Sequence, residues 1–422
     1  MRQPKILTTL KTYTWSLFAA DLFAGITVAM VAIPLSLAIA IASGADPEDG
    51  IVTAIVGGLL ISLLGGSRVQ IGGPTGAFIV VVFGVIAEHG YDGLVLATLM
   101  AGLILLVAGF FRAGRLIAYV PEAVVNGFTI GIALIIATTQ LKDLGGFVMA
   151  QPPAEFLAQV SALWSARETL NAAALLLAVF TMAVIIAVRR VAPWFPGPIL
   201  AVAAASALAA LGGLSVDTIG ARFGEVSAVL PAPALPQVSL ERVVELLPSA
   251  IIIAFLAGVE SLLSAMVADR MVAGRHRPNA ELLAQGTANV ASALFAGLPA
   301  TGAIARTATN VRAGGRTPVA GIVHALTILV VMLLAGNLVG DLAMPALAGL
   351  LMMTAWNMSE PHKWRGYWAA PATERFLLVS TLVLTVAVDL TVAIGVGVSV
   401  GLALRLRARS KSEDSDWTMP ER

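Results

Sequence analysis

The chain contains no cysteine. Disulfides and thiolate metal sites therefore play no part, and nothing about the redox compartment follows. Charge is scarce too: Asp, Glu, Lys and Arg make up 12% of the 422 residues, and there are 4 histidines, none with plausible partners for a metal site. There is no phosphate-binding lysine loop, no nucleophile elbow and no triad arrangement, so no enzyme, no catalytic residue and no cofactor is expected. The net charge of +1 says little, because only the placement of the positive charges is informative.

What the chain has instead is apolar sequence. Hydrophobic residues make up 58% of it and the mean hydropathy is +0.90, which excludes a soluble domain of this length. An all-α polytopic membrane protein is expected. The first apolar stretch, about Asp21 to Ser43, is long enough to span and leads into more of the same, so it reads as a retained helix and not a signal peptide.

Apolar runs and their punctuation give about fourteen membrane segments, some shorter than the ~20 residues of a full span. They begin near Asp21, Gly50, Thr75, Gly93, Pro121, Leu170 and Gly197, then near Pro248, Ala280, Ala303, Pro318, Met344, Glu374 and Asp389. Basic residues test the parity of that count. One side receives Arg2, Lys5, Lys11, Arg112, Arg115, Arg189, Arg190, Arg270, Arg275, Arg277, Arg312, Arg316, Lys363, Arg365, Arg405, Arg407, Arg409 and Lys411. The other receives Lys142, Arg167, Arg222 and Arg242, and its turns are acidic at Asp46, Glu48, Asp49, Glu88 and Asp92. Both termini are therefore expected on the cytoplasmic side of the cell's inner (plasma) membrane.

A Pro-rich stretch, Leu230 to Pro236, divides the chain near its middle. The expected organisation is a first inverted repeat over 1–230, an extracellular linker over 231–247, a second repeat over 248–408 and a cytoplasmic tail over 409–422. Seven spans on either side of the linker give the two halves opposite orientations, as an inverted repeat requires.

Each half carries one helix-breaking run: Ile71-Gly72-Gly73-Pro74-Thr75-Gly76-Ala77-Phe78, and Gly297 to Thr307 with Pro299, Thr301, Gly302 and Ala303 inside it. They read as short extended lead-ins to two half-helices. Irregular backbone at membrane depth survives only around a protein-lined cavity, and helix N-termini offer unpaired N–H groups and positive dipole ends. An anion is the natural ligand. Thr75, Gly76, Ala77 and Phe78 in the first half, and Gly302, Ala303, Ile304, Ala305 and Arg306 in the second, are the expected substrate-binding residues.

Glu260 lies roughly halfway along the first span of the second half. A lone ionised carboxylate at that depth costs on the order of 3 kcal/mol, so it must face a cavity, be paired or carry a proton. A proton taken up together with an anion would make it the proton-coupling group; the alternative is a glutamate that ties helices together. Arg306 adds a full positive charge to the second half-helix, or else snorkels or pairs with Glu260. Thr301 and Thr307 can cap a helix or donate to a ligand. Pro34, in Ile33-Pro34-Leu35-Ser36, either frees backbone groups toward the same cavity or simply kinks its helix. His324 inside an apolar span reads as a titrating group or a satisfied structural histidine. Asp269, Arg270, Arg275, His276 and Arg277 read as an interfacial charge cluster.

At Gly72 to Phe78, and still more at Ala303 to Gly314, the chain resembles the sulfate-permease (SulP) family of anion transporters. Ile33 to Ala38, Gly258 to Leu263, Asn279 to Leu282, Gln285-Gly286, Asn289 and Ala355 to Glu360 fit the family too. The resemblance implies a seven-plus-seven inverted repeat, a core domain moving against a gate domain, and an anion held between the half-helices that start near Thr75 and Ala303. It implies transport of sulfate, bicarbonate, halides, oxalate or C4-dicarboxylates. The wording of Gly258 to Leu263 and of Ala303 to Ala308 is most similar to a bacterial dicarboxylate branch. Two departures are visible: Pro34-Leu35 stands where many relatives have Pro-Gln, and the polar tail after about Leu406 leaves no room for the family's STAS domain.

The expected function is thus secondary active transport, proton-coupled symport of fumarate- or succinate-like C4-dicarboxylates by an elevator-type movement. The alternatives are a sulfate or bicarbonate transporter, proton- or sodium-coupled, and an anion channel on the same scaffold. The expected partners are a small-molecule anion, a proton and the lipid bilayer, with no nucleic acid and with a homodimer open as the assembly.

Overall fold

The computed structural model describes residues 3–115, 121–149, 153, 156–193, 195–225, 227, 229–388, 392–393, 395–397, 399–401 and 403. The first half contains α1 (Trp15–Ala42), α2 (Pro47–Leu64), a two-residue strand β1 (Gly72–Gly73), α3 (Ile79–Phe110), α4 (Glu122–Gly145), α5 (Ala172–Val191) and α6 (Gly197–Leu211). The second contains α7 (Leu240–Val272), α8 (Pro278–Leu294), β2 (Thr301–Gly302), α9 (Ile304–Arg312), α10 (Val319–Ala335), α11 (Met344–Met358) and α12 (Ala372–Ala387). The described residues from 392 to 401 are helical as well. Among the described residues seven helices are long and apolar enough to cross a membrane by themselves.

Local chemistry sets the boundaries. Thr14 caps α1 by accepting the Leu17 amide at 3.3 Å, and Asn171 caps α5 by accepting the Ala173 amide at 3.0 Å. At α2, Pro47 opens the helix and the Asp46 amide donates to the Asp49 carboxylate at 3.2 Å. Gly90, with φ +70°, breaks α3 into a half-helix and a long span, so the expected starts near Thr75 and Gly93 fall in one kinked rod. α1 runs unbroken through Pro34. The helix placed near Pro248 in fact begins at Leu240, because Ser239 accepts the Arg242 amide at 3.2 Å and Pro248 is carried inside. Residues 240–247 are thus helix, while the Pro-rich stretch before them has no regular secondary structure, its Ala234 amide donating to the Leu294 carbonyl at 2.7 Å.

The helices pack as two groups. α3 packs on α7 and α8, while α10 packs on α1 and α2. Those two sets correspond under exchange of the halves, as they do in an inverted repeat. The second group pairs α4 with α12 and α11 with α5, again a matched exchange, and α11 also contacts α4. Close crossings need glycine. A Cβ on Gly102 of α3 would stand 2.7 Å from the Val290 nitrogen of α8, and one on Gly286 of α8 would stand 2.7 Å from the Leu106 nitrogen. In a bilayer such backbone-to-backbone approach supplies much of the packing energy.

The two halves meet at β1 and β2. They pair antiparallel, Gly72 with Gly302 and Gly73 with Thr301, and the Ala303 amide donates to the Ile71 carbonyl at 2.8 Å. This crossing lies among buried residues and brings the starts of the two half-helices to one place.

Candidate functional site

From the crossing, the chain enters the first half-helix through Thr75 and a tight turn over Gly76–Phe78, then continues into α3. It enters the second through Ala303 into α9. The first amides of each helix have no acceptor inside their own helix. In α9 the first intrahelical bond runs from the Thr307 amide to the Ala303 carbonyl at 2.9 Å, which leaves the amides of Ile304, Ala305 and Arg306 as the free turn. The Ala303 amide itself is taken by Ile71. Thr75, Gly76, Ala77 and Phe78 are buried, whereas Ile304 is 41% exposed and Ala305 is exposed beside it. The start of the second half-helix is thus exposed where that of the first is buried.

The structure brings Glu260 to Thr75. The Thr75 hydroxyl donates to Glu260 Oε2 at 2.8 Å, across 185 positions of sequence. Arg306 does not pair with Glu260. Its side chain, 2% exposed, turns back under the crossing, where Nη2 donates to the Pro74 carbonyl at the lead-in of the other half-helix. Gly73 makes room for it: a Cβ there would stand 2.5 Å from Arg306 Nη1, and φ of +145° already requires glycine. Arg306 therefore places its charge beside the positive end of the first half-helix while belonging to the second.

Thr301 and Thr307 are structural. Thr301 donates to the Ala257 carbonyl at 2.9 Å, and Thr307 Oγ1 accepts the Ile71 amide at 3.0 Å. Gly302 is held against Gln70, whose Nε2 would lie 1.5 Å from a Cβ at that position. Gln70 in turn donates to Ser261 Oγ at 2.8 Å, next in sequence to Glu260. Phe78 is buried at 2% exposure. His324 is not a satisfied histidine, since it is fully buried and neither ring nitrogen meets a partner among the described residues. The cluster at the end of α7 is built around an Asp269–His276 contact of 2.7 Å.

Sequence reading missed the support behind Glu260. Glu281 of α8 is fully buried, and its Oε2 accepts the Gly66 and Ser67 amides at 2.8 and 3.2 Å. Its Oε1 accepts the Ser261 hydroxyl at 3.0 Å and Gln285 Nε2 at 3.1 Å. The signal was available: Glu281, Gln285, Asn289 and Ser292 form a polar stripe at helical spacing on α8. Missed too were Ile136 of α4 and Met358 of α11, which meet Gly76 from the second helix group; a Cβ there would stand 3.0 Å from Met358 Sδ.

Between the two helix groups lies a cavity of about 570 Å³, walled by Ile79 and Phe83 of α3, Thr139 of α4 and Leu347 of α11, with Lys142 and Arg222 at the same lining. Arg222 is held by Asp143 and Asp217 at 2.7 and 2.8 Å, and those two carboxylates raise its pKa against the opposing effect of its burial. Among the described residues no group of His, Cys, Asp and Glu is placed to hold a metal ion.

A family model described as the sulfate permease family matches residues 18–381. The chain is 41% identical to the putative sulfate transporter YvdB of Bacillus subtilis, covering 90% of this chain and 72% of YvdB. It is 31% identical to the bicarbonate transporter BicA of Synechocystis sp., covering 88% of this chain and 66% of BicA. The solved transmembrane domain of a cyanobacterium bicarbonate transporter BicA superposes with a TM-score of 0.81 at 30% identity, over 90% of this chain and 98% of that one. Murine Slc26a9 in its inward-facing state shares the fold, with a TM-score of 0.87 at 18% identity over 96% of this chain and 71% of that one.

Proposed function

The chain belongs to the sulfate permease family, and from that premise we propose that it carries a small inorganic oxyanion of the sulfate or bicarbonate kind by proton-coupled secondary transport. That it is a multi-pass membrane anion transporter and not an enzyme follows from the family and from its relatives. The C4-dicarboxylate expectation finds no support in the relatives above, which are named for sulfate and bicarbonate.

One observation carries the reading: the strand crossing sets two half-helix starts together with an arginine on one side and a carboxyl on the other. Free amides, two dipole ends and a guanidinium favour an anion. Glu260, bonded to Thr75 beside the first half-helix, opposes it when charged. Uptake of a proton by Glu260 removes that repulsion, so proton and anion load together. Release of both on the far side restores the carboxylate. The group of α1–α3 and α7–α10 would carry the site as one body past α4–α6, α11 and α12, an elevator-type movement to which the intervening cavity gives room. The reading includes the repeat boundaries given above, an inner-membrane location with both termini cytoplasmic, and a homodimer.

The test is uptake by proteoliposomes holding the purified protein, with labelled sulfate, bicarbonate and fumarate offered separately, with and without an inward proton gradient or sodium. Accumulation of sulfate or bicarbonate that collapses with the proton gradient supports the reading. Accumulation driven by sodium alone moves Glu260 from proton carrier to cation ligand. Fumarate as the preferred substrate overturns the inorganic assignment.

A further inference from the structure

Among the described residues Arg306 has no carboxylate partner, yet it is buried. Its Nε and Nη1 find no acceptor among the described residues. Both ring nitrogens of His324, on α10, are equally buried and equally unmatched. Buried polar atoms of this kind are seldom left alone in a folded protein.

The two groups share one wall. Arg306 Nη1 lies against Gly73, close to Ala54 of α2: the same Cβ position on Gly73 is 3.4 Å from the Ala54 Cα. His324 lies against Gly58 of α2, where a Cβ would be 3.9 Å from the ring's Cε1 and 3.0 Å from the Gly72 carbonyl oxygen. Ala54 and Gly58 are one helical turn apart on the same face, about 6 Å along the axis. Guanidinium and imidazole therefore border the same stretch of α2 behind β1, one at the Ala54–Gly73 contact and the other at the Gly58–Gly72 contact.

We propose that His324 is a positioning residue for Arg306: an imidazole nitrogen accepts from the guanidinium through one bridging water held between α2, α10 and β1. The proposal rests on the reading of Arg306 as part of the anion site. The uncharged imidazole has a lone pair to offer, and water relays it to the N–H groups that Pro74 leaves over. The chemistry of the arrangement is its point. A carboxylate would hold Arg306 firmly but cancel its charge, whereas a carbonyl and an imidazole hold it with neutral acceptors and leave its field for the anion.

The experiment combines transport with a spectroscopic readout. His324→Leu raises KM for the transported anion about tenfold, the worth of one hydrogen bond to a charged group. His324→Gln, whose amide oxygen still accepts, stays within roughly threefold of wild type, less than the loss of that bond. In an Arg306→Lys background His324→Leu adds less than about twofold, because its effect runs through the guanidinium. An unchanged KM in His324→Leu, or the same penalty in both backgrounds, overturns the proposal. Nitrogen-15 spectra of histidine-labelled protein keep it testable where the leucine variant does not fold. The His324 ring signals, identified by their loss in His324→Gln, shift on Arg306→Lys; signals that stay put overturn the coupling. The spectra separate the two readings: a protein that carries no anion but whose His324 signals follow Arg306 refutes the transport assignment alone.

Discussion

The Thr75 hydroxyl, at the mouth of one half-helix, donates to the Glu260 carboxyl at 2.8 Å, and among the described residues this is the one side-chain hydrogen bond that Glu260 makes. Glu260→Gln keeps the size and the acceptor oxygen but cannot exchange a proton. We expect it to abolish accumulation driven by a proton gradient while anion-for-anion exchange persists. Counterflow alongside gradient-driven uptake in the same vesicles decides it, and gradient-driven accumulation that survives the change removes Glu260 from coupling.

Arg306→Ala strips the charge and leaves the Pro74 carbonyl without its donor. Anion affinity should fall at least tenfold, given that a hydrogen bond or close charge to an ionised group is worth about 1.5–3 kcal/mol. Titration of the anion against the detergent-solubilised protein reports it. Gly73→Ala should mimic part of this loss, because its Cβ would press on Nη1 at a φ that suits only glycine.

Glu281→Ala removes an acceptor for four donors, two of them backbone amides at the end of α2. A stability loss of about 3 kcal/mol is expected from buried donors left unmatched. The thermal midpoint in detergent measures it, and a midpoint within a degree of wild type would show that the turn and Ser261 find other partners.

Gly102→Val, or Gly286→Val, forces side chains into a crossing where a Cβ on either glycine would stand less than 3 Å from the other helix's backbone. Neither variant should yield a monodisperse protein on gel filtration, whereas Gly84→Ala, at a position with nothing within 4 Å, should behave as wild type there.

Tyr13, just before α1, donates to the buried Asp21 carboxylate at 3.1 Å. Burial, with the Asp21 charge adding to it, pushes the phenol up to about 12 from 10. A group whose folded pKa is raised contributes stability below its unfolded value and loses it as the pH climbs through the folded one. The contribution is therefore intact below pH 10 and gone above about 12. Tyr13→Phe should flatten the stability profile across that alkaline window, and an unchanged slope would mean the bond contributes nothing there.

Much of this architecture was legible because the bilayer simplifies the code. Apolar runs and glycine breaks place both half-helices, and the rarity of charge within the spans draws attention to Glu260 and Arg306. What the sequence hid was pairing at a distance. Nothing near Arg306 in sequence says that it turns back to Pro74 instead of toward Glu260, and nothing near Gly72 announces Gly302 as its strand partner. The start of α7 differs from the expected Pro248 for another reason: Ser239 caps the helix ahead of it, and proline is tolerated inside a membrane helix whose freed backbone groups find other partners.

The crossing of β1 and β2 constrains how such a protein can be altered. Gly72 faces Gly302 and Gly73 faces Thr301, so one inserted or deleted residue in either lead-in would shift the register and rotate one half-helix start away from the other. Loop length, the usual raw material for new binding sites, is closed as a route here. Any change of cargo along a lineage has to come from replacing side chains around a backbone frame of fixed length.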